Sequence, residues 1–237
     1  MQVEVFDTKQ EVARALSAHL KTWCRQEDFR SIALSGGSTP KLWFDLLADE
    51  YSQLLPWAEL LFFWGDERCV PPGHPESNYG MTREHLLEKV PVPEDHVFRI
   101  RGEAVPEEEA SRYGNLLRER LPEKDGTPRF DLVVLGMGDD GHTASIFPHE
   151  MSLWDASDPC VVATHPQTGQ HRISISGKII NNARQVVFLV TGENKAARIR
   201  QIHQKLPGFE KLPASRVAPR DGRLLWMLDA AAASQGS

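Results

Sequence analysis

The sequence predicts a single α/β domain built on a mostly parallel sheet with helices on both faces. Short, continuous runs of Val, Leu, Ile and Phe alternate with longer amphipathic segments along the chain. Strands that are buried on both faces have such continuous apolar runs, and alternating strands and helices favour a parallel sheet. The composition does not shift along the 237 residues, so one domain covering residues 1–237 is expected.

Eight apolar runs predict the strands. They are rich in β-branched and aromatic residues and have the lengths of ordinary strands. They lie at residues 3–6, 31–34, 60–64, 132–135, 161–163, 173–176, 186–190 and 224–228.

Amphipathic segments between these runs predict helices. The first begins after Thr8, which has Glu11 at the spacing of a capping box, and apolar residues then recur at every fourth position. Pro40 lies in the first turn of the next helix, where proline is tolerated. The helices after the first are expected at residues 40–48, 82–89, 106–121 and 193–204, and the Ala-rich residues 230–237 are expected to be a frayed helix end or tail.

Composition disfavours several classes of function. The chain has 27 Lys and Arg against 33 Asp and Glu, a formal net charge of −6. Binding of nucleic acid or of an acidic membrane surface is not expected, since both require a basic surface. No apolar stretch reaches the ~18–20 residues of a membrane span. No basic segment precedes an apolar run near the first residues, so no secretory signal is predicted.

Cysteine and histidine usage points to a reduced, metal-free protein. Cys24, Cys69 and Cys160 are widely spaced and match neither a disulfide framework nor a zinc motif. A cytoplasmic location is therefore expected. The histidines include no pair at the spacing of a helical metal site, so no metal is expected.

The first candidate binding loop is Ser35-Gly-Gly-Ser-Thr-Pro40, which follows a predicted strand and opens a helix. Ligands of parallel sheets bind at the carboxyl ends of strands, and free N–H groups at a helix start favour an anion such as phosphate. The candidate phosphate ligands are Gly36, Gly37, Ser38 and Thr39. The alternative is a tight strand-to-helix turn with a Ser or Thr cap.

Charged residues follow two further strands. Asp66 and Arg68 come directly after residues 60–64, where the alternative is a solvated loop with a surface ion pair. His142 lies in a glycine-rich loop after residues 132–135 and can exchange a proton with water near neutral pH. Asp140 is spaced to hold its imidazole in one tautomer. A lone histidine is more often structural, but the glycines and the position after a strand favour catalysis.

Two basic residues complete the candidate site. Arg172 begins the strand 173–176, and Lys195 lies in the first turn of the helix 193–204. The helix dipole disfavours a cation at that position, which indicates an anionic ligand. A solvated surface lysine is the alternative for Lys195.

The order and spacing of these stretches resemble the 6-phosphogluconolactonase family. The matching stretches are Ser35-Gly-Gly-Ser-Thr-Pro40, Asp66-Glu-Arg68, Ser77-Asn-Tyr-Gly-Met81, residues 136–145, Arg172-Ile-Ser, Leu189-Val-Thr-Gly192 with Lys195, and Leu212-Pro-Ala-Ser215. The resemblance implies the Rossmann-like fold of sugar-phosphate isomerases. It also implies hydrolysis of 6-phospho-D-glucono-1,5-lactone to 6-phosphogluconate, in the oxidative pentose phosphate pathway, without metal or organic cofactor.

The residues and the resemblance together suggest a mechanism. His142, oriented by Asp140, is expected to activate the attacking water. Arg68 is expected to contact either the oxyanion or the phosphate, and Asp66 either Arg68 or a substrate hydroxyl. The glycine loop, with Arg172 and Lys195, is expected to hold the phosphate.

Two other functions stay open. Glucosamine-6-phosphate deaminases share most of these motifs, but they usually carry a carboxylate soon after the histidine, where this chain has Ile146-Phe-Pro148. A non-catalytic sugar-phosphate sensor is disfavoured, because few residues precede the first loop and the chain is acidic. The expected partner is the small lactone, and the expected assembly is a monomer or weak homo-oligomer.

Overall fold

A parallel sheet of seven strands forms the centre of the computed structural model, which describes residues 2–234. The twelve strands of the described part are β1 (Gln2–Phe6), β2 (Ser31–Leu34), β3 (Leu61–Trp64), β4 (Asp66–Arg68), β5 (Val97–Phe98), β6 (Glu123–Lys124), β7 (Thr127–Pro128), β8 (Leu132–Leu135), β9 (Cys160–Thr164), β10 (His171–Ile175), β11 (Gln185–Val190) and β12 (Arg223–Asp229). The central sheet has the order β1-β12-β11-β8-β2-β3-β5, and its neighbouring strands are parallel.

Helices flank this sheet, which confirms the predicted fold class. The α-helices of the described part are α1 (Lys9–Trp23), α2 (Ser38–Glu50), α3 (Asn78–Thr82), α4 (Pro106–Arg120), α5 (Gly177–Asn182), α6 (Ala196–His203) and α7 (Ala230–Ala233). Thr8 and Glu11 form the predicted capping box before α1, with Thr8 Oγ1 accepting from the Glu11 N–H at 3.2 Å.

The core lies between the helices and the middle strands of the sheet. Ile32 in β2, Val133 in β8 and Phe188 in β11 are completely buried, as are Leu16 of α1 and Phe44 of α2. Burial on both faces explains why these strands are continuous apolar runs in the sequence. This core fixes the positions of the loops that follow the strands.

A second, antiparallel sheet differs from the predicted arrangement. The predicted strands 161–163 and 173–176 correspond to β9 and β10, which pair with each other and with β4 instead of joining the parallel sheet. The reason is the short connection 165–170, which permits an antiparallel hairpin but not the long crossover of a parallel pair. Residues 66–68, expected in a loop, form β4 by pairing with β10.

Three helix predictions also need correction. The helix expected at 82–89 begins earlier, as α3, and continues as a π-helical turn (Arg83–Leu87). The helix expected at 193–204 starts with a 3₁₀ turn (Glu193–Lys195) before α6. Residues 230–233 form α7 and are not a frayed tail, because the Asp229 side chain caps the helix and Ala232 is buried. Residues 235–237 of that predicted tail lie outside the described part.

No helix within residues 2–234 is long and apolar enough to cross a membrane.

Candidate functional site

A cavity of about 240 Å³ lies where the loops after β2, β8 and β11 meet β4 and β10. Parallel strands end at one edge of a sheet, so loops far apart in sequence come together there. The residues that line the cavity are Ser35, Gly36, Asp66, Arg68, Asn78, Gly136, Met137, Gly138, His142, Ala144, Arg172 and Lys195. The cavity therefore combines one histidine with three cationic side chains and a carboxylate.

His142 and Asp140 form a hydrogen-bonded pair at this cavity. Asp140 Oδ1 lies 2.6 Å from His142 Nδ1 and also accepts from the His142 main-chain N–H at 3.0 Å. Partial burial opposes ionisation of Asp140, but its hydrogen bonds and the charge of His142 outweigh that effect and lower the pKa of Asp140 to about 2. The carboxylate is therefore ionised near neutral pH and can only accept. Nδ1 of a neutral His142 must then carry the proton, which leaves the Nε2 lone pair free.

The glycine-rich loop keeps this imidazole in place. A Cβ atom at Gly138 would lie 2.1 Å from His142 Nδ1, so the ring packs directly against a backbone without a side chain. The Gly138 N–H donates to the His142 carbonyl at 2.9 Å, and Thr143 Oγ1 donates to the Gly136 carbonyl at 2.8 Å. These bonds close the loop into a compact turn that presents His142.

The far end of the same loop is anchored to β4. Ala144, which lines the cavity, has a φ of 48°, in the left-handed region that is unfavourable for residues other than glycine. The next residue, Ser145, donates from Oγ to Asp66 Oδ2 at 2.6 Å, and both side chains are buried. Asp66 therefore holds the histidine loop, and it also faces the cavity.

Arg68 and Arg172 are direct cross-strand partners in β4 and β10. Burial, and then the charge of Arg68, lowers the pKa of Arg172 from its ordinary value. The Nε atoms of both arginines are buried without a hydrogen-bond partner in the described part of the chain. Like charges at opposite positions of two strands destabilise the pair, so this arrangement favours an anion between the two guanidinium groups.

Glu67 binds the backbone of both β4 and the start of α3. Its carboxylate accepts from the N–H groups of Arg68 at 2.8 Å, Asn78 at 2.7 Å and Tyr79 at 2.8 Å. Ser77 Oγ adds a fourth bond at 3.1 Å. Burial raises the pKa of Glu67 although these bonds oppose the shift. The turn before α3 is thus held against β4 by one side chain.

Lys195 reaches the cavity from the turn that precedes α6. Its Nζ forms an ion pair with Asp139 of the histidine loop. Asn194 Nδ2 donates to the same carboxylate at 2.8 Å, and Arg198 Nε donates to the Asp139 carbonyl at 3.1 Å. Asp139 thereby holds Lys195 beside the loop that carries His142.

Residues of the glycine loop line two neighbouring cavities. Gly36 lines the 240 Å³ cavity, whereas Gly37 lines a neighbouring cleft of about 520 Å³ that shares Arg68 and Asn78 with it. Ser38 begins α2. Thr39 Oγ1 lies 2.7 Å from Thr191 Oγ1, which ties the glycine loop to the loop that leads to Lys195.

The structure brings six predicted site residues to one cavity: Gly36, Asp66, Arg68, His142, Arg172 and Lys195. Asp140 joins them through His142, while Gly37, Ser38 and Thr39 are not among the residues described as lining that cavity.

Sequence reasoning assigned no role to Asn78, Ser145, Asp139 or Thr191, although all four belong to the stretches that carry the family resemblance. No group of three or more His, Cys, Asp or Glu side chains placed to hold a metal ion occurs within residues 2–234.

The chain is similar to known proteins over most of its length. A family model described as "Glucosamine-6-phosphate isomerases/6-phosphogluconolactonase" matches residues 6–226. The 6-phosphogluconolactonase of Treponema pallidum is 47 % identical over 195 residues, which is 82 % of this chain and 81 % of the relative. The 6-phosphogluconolactonase of Haemophilus influenzae is 43 % identical and covers 85 % of each chain.

Solved structures show the same similarity. The 6-phosphogluconolactonase of Trypanosoma brucei is 34 % identical, with a TM-score of 0.85 over 98 % of this chain and 97 % of that one. A monomeric glucosamine-6-phosphate deaminase has a TM-score of 0.84 over 99 % of this chain and 100 % of that one, but at 18 % identity it shares the fold alone. From the family match and these identities, the chain belongs to the glucosamine-6-phosphate isomerase/6-phosphogluconolactonase family.

Proposed function

We propose that the chain is a 6-phosphogluconolactonase that hydrolyses 6-phospho-D-glucono-1,5-lactone to 6-phosphogluconate with His142 as the general base. The activity follows from the relatives at up to 47 % identity over most of the chain. The observation that carries the mechanism is the 2.6 Å bond between Asp140 and His142 Nδ1, beside three cationic side chains. Hydrolysis of a phosphorylated ester requires a base that activates water and positive charge that binds the phosphate.

His142 Nε2 takes a proton from a water molecule as the water oxygen bonds to the lactone carbonyl carbon. Asp140 stabilises the imidazolium that forms, as an ionised partner at Nδ1 does in other histidine bases. The tetrahedral intermediate then breaks its bond to the ring oxygen. The protonated His142 returns its proton to that leaving oxygen, so the histidine is regenerated and one water has been added.

The phosphate is held at the cationic side of the cavity. Arg172 offers a planar set of donors that suits bidentate phosphate contact, and Lys195 supplies a point charge. The amide of Gly36 and the start of α2, with Gly37, Ser38 and Thr39, add N–H and hydroxyl donors. The Thr39–Thr191 contact supports this assignment, because it draws the glycine loop towards the turn that carries Lys195.

Arg68 supplies positive charge to the same cavity. It is cross-strand to Arg172, and its Nη1 is fixed by a 2.8 Å bond to the Glu76 carbonyl. A fixed donor of this kind stabilises a developing oxyanion without reorganisation. Binding of the phosphate is the other role open to it, and the two roles change different kinetic constants.

A coupled assay with freshly generated lactone tests the function. We expect wild-type protein to hydrolyse the lactone well above the spontaneous rate and to release no ammonia from glucosamine 6-phosphate. Ammonia release would establish a deaminase instead. Binding of 6-phosphogluconate without any turnover would establish a sensor.

The cysteines bear on where the enzyme is located. Free cysteines at positions 24, 69 and 160 support a reduced, cytoplasmic location. We further propose that the enzyme acts on its small substrate as a monomer or weak homo-oligomer, without nucleic acid and without a metal or organic cofactor.

A further inference from the structure

Asn78 lies in the wall between the substrate cavity and the larger cleft, as the first residue of α3. It is 2 % exposed. Its Nδ2 donates to the Asp66 carbonyl at 2.9 Å. Because a carbonyl oxygen can only accept, this bond fixes which end of the amide is the nitrogen. The side-chain oxygen Oδ1 must therefore point the other way.

Oδ1 of Asn78 faces Gly36 across the cavity wall. A Cβ atom on Gly36 would lie 1.8 Å from Oδ1, so the amide occupies the space that any other residue at position 36 would fill. Gly36 and Asn78 both line the cavity. Oδ1 accepts no hydrogen bond from the residues that the structure describes. An oriented acceptor with no partner among the described residues thus belongs to a side chain that lines the cavity.

The chemistry of the cavity separates two kinds of ligand group. Arg68, Arg172 and Lys195 can only donate, which suits the phosphate oxygens of the substrate. Oδ1 of Asn78 can only accept, and a phosphate dianion offers it no proton. The ring hydroxyls of a sugar lactone do offer protons. The two sets of groups therefore suit different parts of such a substrate.

We propose that Asn78 is a specificity-determining residue whose Oδ1 accepts a hydrogen bond from a ring hydroxyl of the sugar-phosphate lactone. This inference rests on the proposed function. Asn78 also has a structural role through its main chain, since its N–H binds Glu67 at 2.7 Å and its carbonyl accepts from Thr82 Oγ1 at 2.8 Å. The test must separate recognition from folding.

The test compares the parent lactone with its 2-deoxy, 3-deoxy and 4-deoxy derivatives. In the wild type we expect loss of the recognised hydroxyl to lower kcat/KM by about 10-fold or more, because a buried acceptor loses its partner. In Asn78→Ala, the same derivative and the parent lactone should differ by no more than about twofold. The proposal is overturned if the variant keeps the wild-type ratios for all three derivatives, or if the wild type does not discriminate among them.

Thr82→Val is the matched control, since it removes the hydroxyl that contacts the Asn78 carbonyl and Trp64 Nε1 and leaves Oδ1 in place. We expect it to retain the wild-type discrimination. Asn78→Leu also removes the acceptor, at a similar side-chain volume, and it is the second variant if Asn78→Ala does not fold.

Calorimetric binding of 6-phosphogluconate and its deoxy derivatives repeats the comparison without turnover. Absence of lactone hydrolysis by the wild type contradicts the proposed function. Unchanged binding ratios in the variant contradict the role of Asn78, whatever the activity.

Discussion

The two main sheets of this protein contribute to the site in different ways. The parallel sheet reaches the cavity through the loops after its strands, such as the one that carries His142. The antiparallel sheet contributes side chains from the strands themselves: Asp66 and Arg68 from β4, and Arg172 from β10. Strands that are buried on both faces carry apolar side chains along their length. A short sheet beside a cavity can instead direct charged side chains from its strands into that cavity.

This difference assigns two tasks to two regions. In our account, the loop after β8 performs proton transfer, and the antiparallel sheet places charge around the substrate. The contact between Ser145 and Asp66 joins the regions, at 2.6 Å. Substitutions in the two regions should therefore change different kinetic constants, and substitutions in the parallel strands should change stability alone.

The largest effect is expected in the histidine loop. His142→Asn removes the proposed base, so kcat for the lactone should fall by about 10²- to 10⁴-fold with little change in KM. His149→Asn is a matched control, since His149 is exposed and is not among the residues described as lining the cavity. Steady-state kinetics with background subtraction provide the measurement. If kcat of His142→Asn is within about threefold of the wild-type value, His142 is not the general base.

A smaller effect is expected in the antiparallel sheet. Arg172→Met removes a charged donor of the proposed phosphate site and should raise KM by about 10- to 100-fold. Arg68→Met should lower kcat if Arg68 stabilises the oxyanion and raise KM if it binds phosphate. Both variants are assayed with the same lactone. An unchanged KM in Arg172→Met would remove this sheet from phosphate binding.

Asp140→Asn should lower kcat by about 10-fold, equivalent to roughly 1.4 kcal/mol. The amide no longer stabilises the imidazolium and no longer enforces one tautomer. Asp139→Asn provides a comparison in the same loop, because it contacts Lys195 and not the imidazole. That variant should act through KM. Equal kcat in wild type and Asp140→Asn would leave Asp140 as a purely structural residue.

Leu132→Ala tests the parallel sheet away from the site. Leu132 is completely buried at the start of β8. Truncation should reduce the free energy of unfolding by about 2–5 kcal/mol and leave kcat and KM close to wild type at a temperature where the protein is folded. Urea unfolding and kinetics on the same preparation measure both. A large fall in kcat of the folded variant would contradict the division of tasks.

The smallest effect concerns pH and stability. The pKa of Asp140 is lowered in the folded state from its ordinary value of 3.8 to about 2. The ionised carboxylate therefore stabilises the fold above about pH 4, and this contribution is lost as the pH falls towards 2. Because Asp140 is 42 % exposed, solvent screening limits the contribution to about 1 kcal/mol or less. The melting temperatures of wild type and Asp140→Asn should differ near pH 6 and converge near pH 2.

The sequence predicted the parallel sheet well, because its strands have a strong local pattern. The predicted bounds at 31–34 and 132–135 match β2 and β8. The antiparallel sheet was the harder part. Asp66-Glu-Arg68 has no strand-like composition and pairs only because β10 lies beside it. Long-range pairing of this kind leaves no local signal.

The candidate site was predictable to a similar extent. His142, Asp140 and Arg172 stood out by residue type and by position after or within strands. Asn78 did not, because its proposed role depends on the close contact of its side chain with Gly36. The spacing of the two residues along the chain does not predict that contact. Thr39 was predicted as a phosphate ligand, and its contact with Thr191 emerged only from the fold.

The proposed mechanism requires that Asp140 hold His142 with Nδ1 protonated and Nε2 free to accept a proton. Nitrogen-15 NMR of labelled protein with neutral His142 measures the tautomer, and the His142 signals are identified by their absence from His142→Asn. We expect the Nδ1–H tautomer in wild type and a mixture of tautomers in Asp140→Asn. A wild-type His142 in the Nε2–H tautomer would rule out this mechanism, because the proposed base would then carry a proton where it must accept one.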